Sequence, residues 1–195
     1  MHKNNTCINT TVGAVREPPL HEGMKESEIH NRHSMRLKHY DYSSPGAYFV
    51  TICAEDRRNT FGAVRDGGII FNDYGKIVHE TWKWLGEQYQ HVQIDEFVIM
   101  PNHMHGIIII DYDRRGGSRT APTAKQKPLG GLIGAFKTVS SKQINKLRNT
   151  QGTSIWQRNY YEHVIRNEYD LDNTREYITN NPANWETDEY FTQTP

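Results

Sequence analysis

Two histidines separated by one residue, His103 and His105, sit in Pro101-Asn102-His103-Met104-His105-Gly106, where an aliphatic run ending at Ile110 begins. Alternate side chains of an extended strand share a face, so both imidazoles project one way and Met104 points the other way, toward a core. Neutral ring nitrogens at that spacing can chelate a divalent ion. The same spacing also suits two partly buried, hydrogen-bonded rings. A second group lies in Arg175-Glu176-Tyr177-Ile178-Thr179-Asn180-Asn181-Pro182. Here Tyr177 and Asn181 fall one helical turn apart and share a face, while Leu171 and Ile178 anchor the packed side. Beside two histidines, a phenol and an amide oxygen suit phosphate chemistry, one as nucleophile and the other as third metal ligand. A surface tyrosine and an ordinary helix cap would use the same residues.

The elements that must hold these groups are readable from pattern. Residues 1–28 carry Pro18-Pro19 without apolar periodicity and read as a flexible leader, leaving 29–195 as a single domain. Ala47 to Cys53 reads as a strand after the turn-forming Ser43-Ser44-Pro45-Gly46. Phe61 to Val64 and Ile69 to Phe71 flank Gly67-Gly68 as two short β-prone pieces of a hairpin or bulged strand. Tyr74 to Tyr89 has helical spacing, with Asn72 or Asp73 as its cap. Ile94 to Met100 and His103 to Ile110 read as adjacent strands, and the polar, Gly- and Pro-containing stretch at about 114–128 as an exposed loop. A helix bearing Leu132, Phe136, Val139, Ile144 and Leu147 follows. The last helix runs from Glu168 to Asn180, opened by Asn167 and stopped by Pro182. The order β-β-α-β-β-α-α points to an α+β fold.

Composition narrows the function classes. The 195 residues are 35% hydrophobic and 24% charged, enough apolar material for a core, and the longest purely aliphatic run, Ile107 to Ile110, is far too short to cross a bilayer. The N-terminus lacks an apolar signal region, which places the protein in the cytoplasm, with no membrane partner. Only Cys7 and Cys53 are present, which argues against a disulfide framework and a Cys-rich zinc site. The 23 basic and 23 acidic residues cancel overall but are unevenly placed. From Arg114 to Arg148 the chain carries Arg114, Arg115, Arg119, Lys125, Lys127, Lys137, Lys142, Lys146 and Arg148 and no acid, whereas Arg175 alone opposes seven acids after Asn167. The basic stretch could face a polyanion, or the two runs could be solvated faces that attract each other.

Four segments carry a resemblance: Arg36-Leu37-Lys38-His39-Tyr40-Asp41-Tyr42-Ser43, Met100 to Gly106, Trp156-Gln157-Arg158-Asn159-Tyr160-Tyr161-Glu162-His163-Val164-Ile165-Arg166-Asn167, and Tyr177 to Pro182. In this order they resemble the REP-associated tyrosine transposases of bacteria, a branch of the single-tyrosine HUH transposases, from about residue 29 onward. The resemblance implies an antiparallel sheet flanked by helices, ferredoxin-like or RNA-recognition-like in plan. It implies that His103 and His105 bind a divalent metal, Mg²⁺ or Mn²⁺, with Zn²⁺ also compatible with the ligand types. Tyr177 is then the nucleophile and Asn181 the third ligand. The implied activity cleaves and rejoins single-stranded DNA near hairpins through a 5'-phosphotyrosine intermediate, on repetitive extragenic palindromes.

Lys137, Lys142, Lys146 and Arg148 are then candidates to grip the hairpin backbone, and His163 and Arg166 to meet phosphate or to make structural bonds. Trp156 is a core or a stacking residue, with core favoured. A monomer is favoured over a homodimer. Two other readings compete: a catalytically silent single-stranded nucleic-acid-binding protein, and a metal-dependent hydrolase without a covalent intermediate.

Overall fold

The structure, a computed structural model, describes residues 44–112 and 127–192. The expected leader, the Arg36 to Ser43 motif, and all of the expected loop except Lys127 and Pro128 lie outside the described residues.

Four antiparallel strands form the sheet, in the order β4-β5-β1-β6: β1 is Gly46–Cys53, β4 Val92–Ile99, β5 His103–Ile110 and β6 Tyr161–Ile165. A separate hairpin pairs β2 (Gly62–Arg65) with β3 (Gly68–Phe71). It turns through Asp66 and Gly67, both at positive φ (51° and 71°), the backbone that two-residue hairpins require. The helices are α1 (Asp73–Gln88), α2 (Leu129–Leu147) and α3 (Glu168–Asn180), the last followed by a 3-10 turn, Pro182–Thr187. Two asparagines start helices as read from the sequence. Asn72 accepts from the N–H groups of Tyr74 and Gly75, and Asn167 from that of Asp170.

Strand alternation divides the interior. Tyr48, Val50 and Ile52 of β1, with Met104 and Ile108 of β5, are buried against α1 (Val78, Trp82, Leu85) and α2 (Leu132, Phe136, Ile144). Trp156 joins this core, its indole N–H donating to Ser140 Oγ at 2.9 Å. Residues of the other register, Phe49 and Ile107 with Ile165 of β6, pack against Ile178 of α3. The register sets Thr51 opposite His105 and Cys53 opposite His103, so the histidines belong to the α3 face.

One strand escapes the pattern reading. β6 is an edge strand whose Tyr161-Glu162-His163 start lacks alternation, and only its pairing with the sequence-distant β1 makes it a strand. Among the described residues no helix is long and apolar enough to cross a membrane.

Candidate active site

β5 delivers both imidazoles to one place. His103 Nε2 and His105 Nε2 lie 3.0 Å apart, and both rings are wholly buried. Asn102 sets the orientation of the first. Its Nδ2 donates to Tyr190 O at 2.7 Å, with longer contacts to Arg57 O and Thr192 Oγ1, so its Oδ1 must be the atom facing His103 Nδ1 at 2.8 Å. An acceptor there requires the proton on Nδ1, and His103 Nε2 carries a lone pair.

His105 Nδ1 lies 2.8 Å from Thr51 Oγ1. A hydroxyl can donate or accept, so Thr51 suits His105 with its proton on Nε2, pointing at His103, or on Nδ1, which frees Nε2. Burial holds His103 well below its ordinary pKa, reinforced by the repulsion that a protonated His105 would add and by the Arg57 charge, and burial alone pushes His105 down to about 3. Both rings are therefore neutral near pH 7, the state that binds a cation.

α3 brings the phenol. Tyr177 Oη lies 3.3 Å from His105 Nε2, and the Tyr177 ring meets the rings of His105 and Phe49 edge-on. Contacts with the sheet seat the helix. Ile178 is buried against the sheet, and Arg175 forks onto Asp95 in the bulged part of β4, Nη2 to Oδ2 at 2.6 Å and Nε to Oδ1 at 3.2 Å.

Asn181 follows the last helical residue and is buried; its Nδ2 donates to Asp188 Oδ2 at 3.1 Å, while its Oδ1 is buried without a hydrogen-bond partner. The segment after α3 closes over the pair, with the Tyr190 ring 4.5 Å and the Trp185 ring 6.0 Å from that of His103, centroid to centroid.

A divalent cation fits this donor set. Adjacent ligands at about 2.1 Å on an octahedral ion stand about 3 Å apart, the spacing of the two Nε2 atoms. An orphaned buried amide oxygen is itself a position that calls for a cation or a donor. Among the described residues, His103, His105 and Asp188 form a group whose donor atoms all lie within 4.8 Å of one another.

Comparison with known proteins adds an independent line. No family model matches the chain. It is 38% identical over 172 residues to an uncharacterised protein of Haemophilus influenzae, covering 84% of this chain and 94% of that one. A second H. influenzae protein, provisionally named a REP-associated tyrosine transposase, is 28% identical over 149 residues, 73% of either chain. The solved structure of a REP-associated tyrosine transposase bound to a REP hairpin shares the fold, with a TM-score of 0.50 over 76% of this chain and 73% of that one, at 19% identity. The chain is thus similar in sequence to one REP-associated tyrosine transposase and shares its fold with another.

In this chain the basic residues singled out in the sequence are not one patch at the histidines. Lys137, Lys142, Lys146 and Arg148 belong to α2 or its C-cap, and α2 packs on the sheet face opposite the imidazoles. Lys142 and Lys146 are exposed. Arg148 donates through Nε to Asn145 Oδ1 at 2.9 Å. Lys137 Nζ donates to three carbonyls, those of Gln157 (2.9 Å), Arg158 (3.3 Å) and Asn159 (2.9 Å), which uses all three ammonium protons on the protein itself.

On the α3 side, Arg166 is exposed, while His163 Nε2 lies 3.0 Å from Asp170 Oδ2. Thr51, Asn102 and Asp188 are the site residues that motif reading passed over. Asn102 stands next to His103 in the motif itself. Asp188 was visible only as one charge in an acidic run.

Proposed function

We propose that this protein is a metal-dependent, sequence-specific DNA transposase and single-stranded DNA endonuclease that cleaves and rejoins DNA beside hairpins, with Tyr177 as nucleophile. The observation that carries it is the convergence at 3.3 Å of the α3 phenol on a buried imidazole pair from β5. A divalent ion, Mg²⁺ or Mn²⁺, held by His103, His105 and Asn181 would polarise a non-bridging phosphate oxygen and offset charge developing there.

The chain's own part begins with position. Ile178 and the Arg175 fork hold α3 on the sheet, so that Tyr177 Oη stays beside the imidazoles. In the proposed step Tyr177 Oη bonds to phosphorus as the bond to the 3' oxygen breaks. The phenol, with an ordinary pKa near 10, must lose its proton while the departing oxygen gains one, so the step is proton-neutral. The product is a 5'-phosphotyrosine and a free 3'-OH. Its ester keeps the energy of the original bond, so rejoining needs no nucleotide cofactor.

The REP hairpin bound in the related structure supports single-stranded DNA hairpins as partner. Exposed Lys142, Lys146 and Arg166, with Arg148, supply cationic groups for the backbone. Lys137 acts through the Gln157 to Asn159 segment that it holds. Because α3 is tied to the sheet of its own chain, we take the active unit to be a cytoplasmic monomer.

The test is incubation with palindromic single-stranded DNA and Mn²⁺ or Mg²⁺, followed by denaturing gels and peptide mass spectrometry. A DNA adduct on Tyr177, lost in Tyr177→Phe with hairpin binding retained, is expected. Cleavage at the same position by Tyr177→Phe would instead favour a hydrolase. Binding without any cleavage would favour a silent module.

A further inference from the structure

We propose that Asp188 is a ligand of the same cation, so that the segment following α3 is part of the metal centre as well as its cover. This rests on the reading that His103 and His105 hold a divalent ion. The donor atoms of His103, His105 and Asp188 already converge within 4.8 Å, although Asp188 comes from a segment beyond the nucleophile helix.

The carboxylate is held in place before any ion binds. Asp188 Oδ1 accepts from the N–H of Tyr190 at 2.7 Å, and Oδ2 accepts from Asn181 Nδ2 at 3.1 Å. Each carboxylate oxygen has two lone-pair sites, so both retain capacity for a further partner. The bond from Asn181 couples the two oxygen donors: its nitrogen faces Asp188, and its own Oδ1 is left buried without a partner. Tyr190 and Trp185 then fix the segment against His103.

Charge gives the reason for a carboxylate. Two neutral imidazoles and an amide carry no formal charge, and a dication held between wholly buried imidazoles gives up part of its hydration. Asp188 supplies one negative charge before a substrate phosphate arrives. Two nitrogens with an amide and a carboxylate oxygen form a mixed set suited to Mn²⁺.

The experiment is Mn²⁺ binding to the full-length protein near pH 7, followed by isothermal titration and electron paramagnetic resonance, without DNA. The near-isosteric Asp188→Asn is expected to weaken Mn²⁺ binding at least about tenfold, and Asp188→Cys to shift preference toward Cd²⁺. A measurement on the unsubstituted chain guards against a variant that misfolds: with aspartate ¹³C-labelled at Cγ, electron–nuclear double resonance should detect a carboxylate carbon coupled to bound Mn²⁺. Wild-type affinity in Asp188→Asn, or absence of that coupling, overturns the role of Asp188 while leaving the histidine site intact, provided His105→Ala abolishes binding. If His105→Ala binds Mn²⁺ like the wild type, or the wild type binds none, both readings fall together.

Discussion

Replacing Asn102 by Ala removes the side chain through which His103 and the C-terminal segment are joined. Asn102, His103 and Tyr190 are all buried, so the imidazole N–H and the Tyr190 carbonyl that it serves have little access to bulk water. Two lose their partner at short range: the N–H of His103 Nδ1, now bonded at 2.8 Å, and the carbonyl of Tyr190, now bonded at 2.7 Å. Leaving a buried donor or acceptor unsatisfied costs about 1–3 kcal/mol, so the pair sets a range of about 2–6 kcal/mol. A water entering the vacated space would recover part of it, and we expect a loss of about 3 kcal/mol in urea unfolding.

Mn²⁺ affinity should fall in parallel by about 10- to 100-fold, because nothing then keeps the proton on Nδ1 and the lone pair on Nε2. Asn102→Asp separates the two consequences. A carboxylate still accepts from His103 but cannot donate to Tyr190 O, so stability should fall while metal affinity stays nearer the wild type. The reasoning is refuted if Asn102→Ala unfolds within about 0.5 kcal/mol of the wild type and titrates with Mn²⁺ unchanged.

Other consequences follow from single contacts. A Cβ at Gly106 would stand 2.7 Å from Trp82 Cζ2 and 3.1 Å from Phe97 Cβ, whereas one at Gly134 would meet nothing within 4 Å. Gly106→Ala should therefore cost about 1–3 kcal/mol and Gly134→Ala, within α2, should add about 0.5–1 kcal/mol; equal melting temperatures for the two would contradict this. A double-mutant cycle on Asp95 and Arg175 should give a coupling of about 1 kcal/mol, at the upper end for such pairs because the fork is two-pronged and Asp95 is only 13% exposed. Additive single mutants would show that the pair does not seat α3.

Burial holds Lys137 at about 8 against its ordinary 10.5. Between those values the unfolded chain binds more protons than the folded one, so this residue makes stability rise with pH there. The stability of wild type relative to Lys137→Met should accordingly grow from pH 8 to pH 10.5. A flat difference across that window would mean that the ammonium is not desolvated.

Much of the scaffold was legible because it is set by local geometry. Side-chain alternation placed His103 and His105 on one face and Met104 in the core, and the short polar side chains of Asn72 and Asn167 cap helices with bonds that reach two or three residues. Helical spacing likewise placed Tyr177 a turn before Asn181, just ahead of the helix-stopping Pro182. β6 was not legible, since an edge strand whose first residues are all at least partly polar has no period of its own until β1 offers it a ladder. Lys137 read as a free cation because sequence does not reveal that three carbonyls turn toward it.

The residue types of the site, then, belong to the sequence: two imidazoles in strand register and a phenol in helical register. Their meeting belongs to the tertiary structure. The 3.3 Å between Tyr177 and His105, the tie from Asn102 to Tyr190 and the placement of Asp188 all join segments far apart in the chain. Such contacts depend on strand order, on which sheet face α3 covers and on how the segment after it folds back. Those choices are made by packing summed over the whole domain, which no local period records.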